Sequence, residues 1–201
     1  MKILLGITGS VAATVADKIV SALKELGEVV VVSTEIEEKF YPYEFVGVKR
    51  YGDRDEWKEN DVVPKWEKGD PVLHVDLGRD ADILVIAPVT TNTMAKMANG
   101  IADNLLSCVY AAWGQEKPVV IAPAMNTNMW FSKANQRNLK TLLYDNVKVV
   151  YPVEKMLACG VMGMGAMADV KEIARMVSTV MSLNDGGKEV ETDGGIRYGR
   201  F

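Results

Sequence analysis

Five short apolar runs, separated by stretches with helical periodicity, restrict the fold of this chain more than any other feature. Lys2–Ile7, Val29–Ser33, Ile83–Ala87, Val119–Ala122 and Val147–Val150 are too short for buried helices and read as strands. Between them, Val11–Leu26 carries apolar residues at helical spacing and ends at Gly27; Lys133–Tyr144 and Asp169–Leu183 do the same. A short helix is expected over Ile36–Tyr41, and the helical stretch after the third strand should break at Asn99-Gly100, where glycine suits a C-cap. Repeated strand–helix units of this size predict an α/β fold: a parallel sheet with helices on both faces and right-handed crossovers. Residues 47–70 are polar and rich in Trp, Asp, Glu and Lys, and read as a surface excursion carrying Trp57 and Trp66. One domain is expected over 1–183, followed by a polar, glycine-rich tail over 184–201.

Composition narrows the functional classes. With 201 residues, 48% of them hydrophobic, the chain can bury one sizeable core. A net charge of −4 without a basic stripe argues against a nucleic-acid surface, and no apolar run is long enough to span a membrane. At the N-terminus Gly6, Thr8, Gly9 and Ser10 interrupt the apolar run, which fits a strand better than a targeting segment. Two cysteines, Cys108 and Cys159, make no disulfide framework, and a reducing cytoplasmic setting is expected. No Cys/His cluster has the spacing of a metal site.

Polar residues gather where the strands end, the edge at which open α/β sheets bind ligands. Gly6-Ile7-Thr8-Gly9-Ser10-Val11-Ala12 joins the first strand to the first helix. Glycine permits close backbone approach, hydroxyls can donate, and a helix N-terminus favours an anion. The third glycine of a dinucleotide fingerprint is missing, and no Gly-Lys-Ser/Thr follows, so a single phosphate such as that of FMN fits better. A plain turn with Ser10 as N-cap would also account for this segment. After the third strand, Thr90, Thr91, Asn92 and Thr93 cluster at a helix start, more polar groups than a cap requires. After the fourth, Pro123-Ala124-Met125-Asn126-Thr127-Asn128-Met129-Trp130 sets a carboxamide beside two thioethers and an indole. The amide can donate to a carboxylate while its neighbours exclude water; a capped loop is the simpler alternative.

Two residues carry reactive chemistry. His74, the single histidine, precedes the third strand; a lone histidine in such an apolar context is more often structural, and the alternative is an acid–base group with the range that proton transfer at neutral pH requires. Cys159 lies in Leu157-Ala158-Cys159-Gly160-Val161-Met162-Gly163-Met164-Gly165, a glycine-rich stretch that suggests a bendable lid. Cys108 sits in an apolar helical context and reads as buried packing.

The combination of Gly9-Ser10-Val11-Ala12, Gly69–Pro88 with His74, Thr90–Ser107, PAMNTNMW and the Cys159 loop resembles the flavin-containing cysteine decarboxylases, in their order, from about residue 2 to 180. The resemblance implies a flavodoxin-like or Rossmann-like doubly wound sheet and FMN as cofactor. It implies FMN contacts at Gly9, Ser10, Val11, Thr34, Thr90, Thr91, Asn92, Thr93 and Ala124, and substrate contacts at Asn126, Met156 and Ala158. His74 and Cys159 match the catalytic pair. The implied reaction converts 4′-phospho-N-pantothenoylcysteine to 4′-phosphopantetheine in coenzyme A biosynthesis. The thiol is oxidised to a thioaldehyde, CO2 leaves to give an enethiolate, and reduction returns the thiol. The resemblance also implies homotrimers or arrays of trimers with sites between subunits, and a separate synthetase for the preceding step. Val161 stands where close relatives carry Asp, and Thr34-Glu35-Ile36-Glu37 lacks the serines some of them place near the phosphate. The alternatives are a peptidyl-cysteine oxidative decarboxylase and a non-catalytic, flavin-binding regulatory subunit. Cys159-Gly160 argues against the first, and the absence of long acidic extensions argues against the second.

Overall fold

The wholly apolar runs form the middle of one parallel sheet. In the computed structural model, which describes residues 1–35, 39–41, 44–56, 68–69, 71–158 and 160–185, β1 (Lys2–Ile7) is followed by a 3-10 turn (Val11–Val15) and α1 (Ala16–Lys24). Then come β2 (Glu28–Ser33), β3 (Arg50–Tyr51), α2 (Asp53–Glu56), α3 (Leu73–Asp80), β4 (Ile83–Val89), α4 (Thr91–Asn99) and α5 (Leu105–Ala111). The remainder is β5 (Val119–Pro123), α6 (Thr127–Phe131), α7 (Lys133–Tyr144), β6 (Lys148–Val149), β7 (Val153–Met156), β8 (Met162–Ala166) and α8 (Val170–Asp185).

The sheet order is β3-β2-β1-β4-β5-β6, with every pairing parallel. The order reverses between β1 and β4, so the loops leaving these two strands diverge to opposite faces and open a crevice there. This is the doubly wound arrangement that the alternating pattern predicts.

Alternation along the strands divides the interior into two layers. Ile3, Leu5 and Ile7 point with Val29, Val31, Ile83 and Val85 towards Ile19 and Leu23 of α1 and Ile173 and Val177 of α8. Leu4, Val30, Leu84, Ile86 and Ile121 point the other way, onto Met94 of α4, Leu105 and Leu106 of α5 and Leu142 of α7. Each such fully buried aliphatic side chain contributes about 1.5–3 kcal/mol, which makes this double layer the main source of stability.

Three expectations need correction. The first helix is not continuous from Val11: Ser10 Oγ accepts the Ala12 N–H at 3.2 Å, the chain winds as 3-10 through Val15, and α-geometry begins at Ala16. The β-branched Val11, Thr14 and Val15 make that first turn a weak α-former. The stretch from 47 to 70 is more than a surface excursion. Arg50–Tyr51 extends the sheet and Asp53–Glu56 packs beside α3 and α5. Trp57 and Trp66 lie outside the described residues, as does the first half (36–38) of the helix expected over Ile36–Tyr41. Lastly, the glycine-rich lid is largely a two-stranded antiparallel hairpin, β7–β8. Asn99-Gly100 does end α4, with Gly100 in the left-handed conformation at φ 67°. α8 runs to Asp185, so the first two residues assigned to the tail are helical, and 186–201 lie outside the described residues.

Candidate functional site

A cleft of about 670 Å³ opens at the carboxyl ends of β1, β4 and β5 and is closed on one side by the β7–β8 hairpin. Its size lies within the range of small-molecule and cofactor sites. Gly9, Ser10, Val11, Ala12 and Thr14 form one end, immediately after β1. Ser10 donates its N–H to the Thr8 carbonyl at 2.7 Å and caps the 3-10 turn through its hydroxyl. The start of the 3-10 turn therefore faces this end of the cleft, with the Ser10, Ala12 and Ala13 N–H groups bonded within the turn itself.

Thr8 holds this end to the next one. Its buried hydroxyl donates to the Pro88 carbonyl at 2.8 Å and accepts the Thr90 N–H at 3.0 Å. It is a brace between two loops rather than a ligand group. Thr90 caps α4, accepting the Thr93 N–H at 3.3 Å, and Thr91 donates to Asn135 Oδ1 at 3.0 Å. Asn135 is itself buried and donates to the Trp130 carbonyl at 3.2 Å. The threonine cluster is thus wired into α7, and of its four members Thr90 and Thr91 line the cleft. Thr93 is buried beneath them, and Asn92 is exposed on the far side of the turn.

Beyond β5, Ala124 donates its N–H to Val89 and Met125 donates to Gly165, at 3.0 and 2.9 Å. These bonds fix the PAMNTNMW segment between β4 and β8. Asn126 accepts the Asn128 N–H at 2.8 Å as the cap of α6 and also lines the cleft. The Met125 and Met129 side chains add apolar wall, as the sequence predicts. From the hairpin come Lys155, Met156, Leu157 and Ala158 on one arm and Gly165 and Ala166 on the other. Gly165 has φ 136°, and a Cβ there would run into the Met125 carbonyl; one at Gly163 would run into the Thr127 hydroxyl. Both glycines let the hairpin seat against the strand-end segments. They are packing residues, not hinges.

Lys155 supplies the one charged side chain among the described residues that line the cleft. A second depression, of about 450 Å³ beside β3, is lined by Glu35, Glu44, Asp53 and Asp55 together with Arg50 and Arg54; its carboxylates outnumber its guanidinium groups, which makes it less suited to a phosphate than the strand-end cleft.

The two residues singled out for reactive chemistry are placed differently. Cys159 itself lies outside the described residues, but Leu157 and Ala158, which precede it, line the cleft. His74 does not line the cleft of its own chain. It sits in the first turn of α3, with Nδ1 2.5 Å from Glu56 Oε1. Thr34 is half-buried at the end of β2, its N–H donated to the Ile7 carbonyl at 3.1 Å, outside the cleft lining. Cys108 is half-buried rather than buried, and its thiol donates to the Ala102 carbonyl at 3.5 Å. Burial pushes that thiol up, and the carboxylates of Glu56, Asp103 and Asp53 push it further. A thiol held protonated makes a poor nucleophile.

A family model described as Flavoprotein matches residues 1–182. The chain belongs to the flavoprotein family. This flavoprotein is 42% identical over 184 residues to the phosphopantothenoylcysteine decarboxylase of Mus musculus, an alignment that covers 90% of this chain and 87% of that one. Its fold matches that of a cysteine-to-serine mutant of PPC decarboxylase complexed with pantothenoylaminoethenethiol: TM-score 0.84, 39% identity, covering 90% of this chain and 98% of the other. The FMN binding protein AtHal3 matches with TM-score 0.80 and 39% identity, over 90% and 97% of the two chains.

The Glu56 carboxylate beside His74 and the Lys155 ammonium in the cleft are the features the flavoprotein's sequence does not announce. Neither falls in a motif. The one available signal for Lys155 is its position four residues before Cys159.

Proposed function

We infer that this flavoprotein catalyses the FMN-dependent decarboxylation of 4′-phospho-N-pantothenoylcysteine to 4′-phosphopantetheine, a step of coenzyme A biosynthesis. The observation that carries the reading is the strand-end cleft. It has the start of the 3-10 turn at one end (Gly9, Ser10, Val11), hydroxyls at its middle (Thr90, Thr91), and a carboxamide and thioether wall (Asn126, Met125, Met129) where a substrate would enter. The size and lining fit FMN, with the phosphate at the Ser10 turn and the ring system between Thr90, Thr91 and Ala124. Thr93 then stands behind this lining and holds Thr90 in place, while Asn92 and Thr34 lie outside it.

FMN supplies the two-electron oxidation and its return, which turn a cysteine carboxylate into a group able to lose CO2. The chain's own residues bind, orient and move protons. The Asn126 carboxamide holds the substrate carboxylate, with Met156 and Ala158 covering it from the hairpin. His74 accepts a proton from substrate and Cys159 delivers one to the carbon that CO2 has left. The Lys155 ammonium adds positive charge suited to an anionic substrate. Because His74 stands outside its own chain's cleft, it serves the cleft of a neighbouring copy in a homotrimer or an array of trimers. Among the described residues no helix is long and apolar enough to cross a membrane.

Paired substrates test this reading. FMN-loaded protein is expected to decarboxylate 4′-phosphopantothenoylcysteine with kcat/KM far above that for a peptide ending in cysteine, as followed by product mass. Preference for the peptide would move the assignment to the peptidyl-cysteine decarboxylases. Inertness towards both, with FMN bound, would favour a non-catalytic role.

A further inference from the structure

His74 is the only imidazole in the chain, and both oxygens of one carboxylate are committed to it. Glu56 Oε1 lies 2.5 Å from His74 Nδ1, and Glu56 Oε2 accepts the His74 backbone N–H at 3.0 Å. The Glu56 side chain is 9% exposed and that of His74 26%. The acid is therefore the more buried of the pair, while the imidazole keeps an accessible edge.

The carboxylate is held in place from several sides. Glu56 ends α2, whose first residue, Asp53, accepts the Leu105 N–H at 2.7 Å and so ties the segment to α5. Asp55 accepts the Gly52 N–H at 2.7 Å and closes the turn before it. On the other side, Val72 at the N-cap of α3 makes no side-chain cap bond, and Glu56 fills that role from outside the helix. Among the described residues, the titratable groups near Glu56 are Asp53 on α2, Asp103 just before α5 and Cys108 on α5, while Asp76 on α3 itself is paired by Arg79 at 2.7 Å. None of these presents a second donor to Glu56.

An ionised carboxylate accepts hydrogen bonds and cannot donate them, so the Nδ1 facing it must carry a hydrogen. In a neutral imidazole the other nitrogen, Nε2, is then the acceptor. We propose that Glu56 is a positioning residue for the decarboxylation: it fixes His74 as the Nδ1–H tautomer and so makes Nε2 the proton-accepting atom. This rests on the reading of His74 as the proton acceptor, and it names the group that makes that role possible. Glu56 also caps α3, so the two roles must be separated experimentally.

Glu56→Gln separates them. The glutamine carbonyl can still accept the His74 backbone N–H, but the remaining arm is now an NH2 donor directed at Nδ1. That contact selects the opposite tautomer, with hydrogen on Nε2. Long-range ¹H–¹⁵N spectra of the FMN-loaded protein, labelled at histidine, report the tautomer without ambiguity because the chain has a single imidazole. Wild-type protein is expected to show Nδ1–H. The E56Q variant is expected to show Nε2–H, unchanged FMN content, a kcat on 4′-phosphopantothenoylcysteine lowered about a hundredfold, and KM within about threefold of wild type. In a His74→Asn background the same substitution is expected to lower kcat no further.

An Nε2–H tautomer in the wild-type protein would overturn the proposal whether or not the variant folds. So would a wild-type kcat in E56Q, the result for a helix cap alone. A wild-type protein that shows Nδ1–H but leaves the substrate intact would overturn the decarboxylase reading and the catalytic role given to Glu56. The pairing of the two side chains would still stand.

Discussion

At His74 and Cys159 the account makes its sharpest demands on single side chains. His74→Asn removes the accepting nitrogen while leaving the lining of its own chain's cleft untouched. It is expected to bind FMN normally, by visible absorbance, and to lose turnover by at least about a hundredfold. Cys159→Ser is expected to release CO2 but to fail at the later protonation, so that an enethiol accumulates and is seen by mass spectrometry. Saturated product at the wild-type rate from either variant would remove that residue from the mechanism. The sequence points to both residues because each is chemically conspicuous: one histidine in the whole chain, and one thiol in a glycine-rich stretch. Glu56 is not conspicuous. It lies 18 residues from His74 in an acid-rich segment, and nothing in a linear pattern distinguishes the carboxylate that folds inward from its solvated neighbours.

Elements that obey a regular period were legible, and elements defined by contact were not. Lys133–Tyr144 has the bounds its apolar spacing predicts, because Ser132 caps it and Asn135, Leu139 and Leu142 form a buried stripe at helical intervals. The β7–β8 hairpin has no such signature. Its outer strand, Val153–Met156, is exposed throughout, and its partner is rich in glycine. What holds it is the Met125 N–H to Gly165 bond and the close approach that two glycines allow. Gly165→Ala and Gly100→Ala separate the consequences. Both place a side chain at positive φ, but Gly100 has open space around it, whereas Gly165 faces the Met125 carbonyl. Gly100→Ala is expected to cost about 1 kcal/mol, a melting shift of about 2–4 °C, with FMN affinity unchanged. Gly165→Ala is expected to cost more, about 1–3 kcal/mol from backbone strain alone, and also to weaken FMN binding, because the hairpin no longer seats on the cleft. Equal effects of the two variants on FMN affinity would mean the hairpin does not shape the site.

Across the whole molecule, the doubly wound sheet follows from the spacing of apolar runs, and the strand-end crevice follows from the sheet order. The distance between the cleft and His74 could not be read from spacing, since it depends on how α3 packs beneath α5. That separation leads to the proposal that copies share sites, and hybrid assemblies test it. Chains carrying His74→Asn mixed with chains carrying Cys159→Ser, denatured and refolded together with FMN, are expected to regain part of the wild-type activity. Each variant alone should form no saturated product, and no recovery of that product on mixing would place both residues in one subunit's site. The central claim, that the cleft removes the cysteine carboxylate, is tested most directly with 4′-phosphopantothenoylcysteine labelled with ¹³C in that carboxyl group. The account predicts one ¹³CO2 released for each 4′-phosphopantetheine formed by the FMN-loaded protein; retention of the label in unconverted substrate would contradict it.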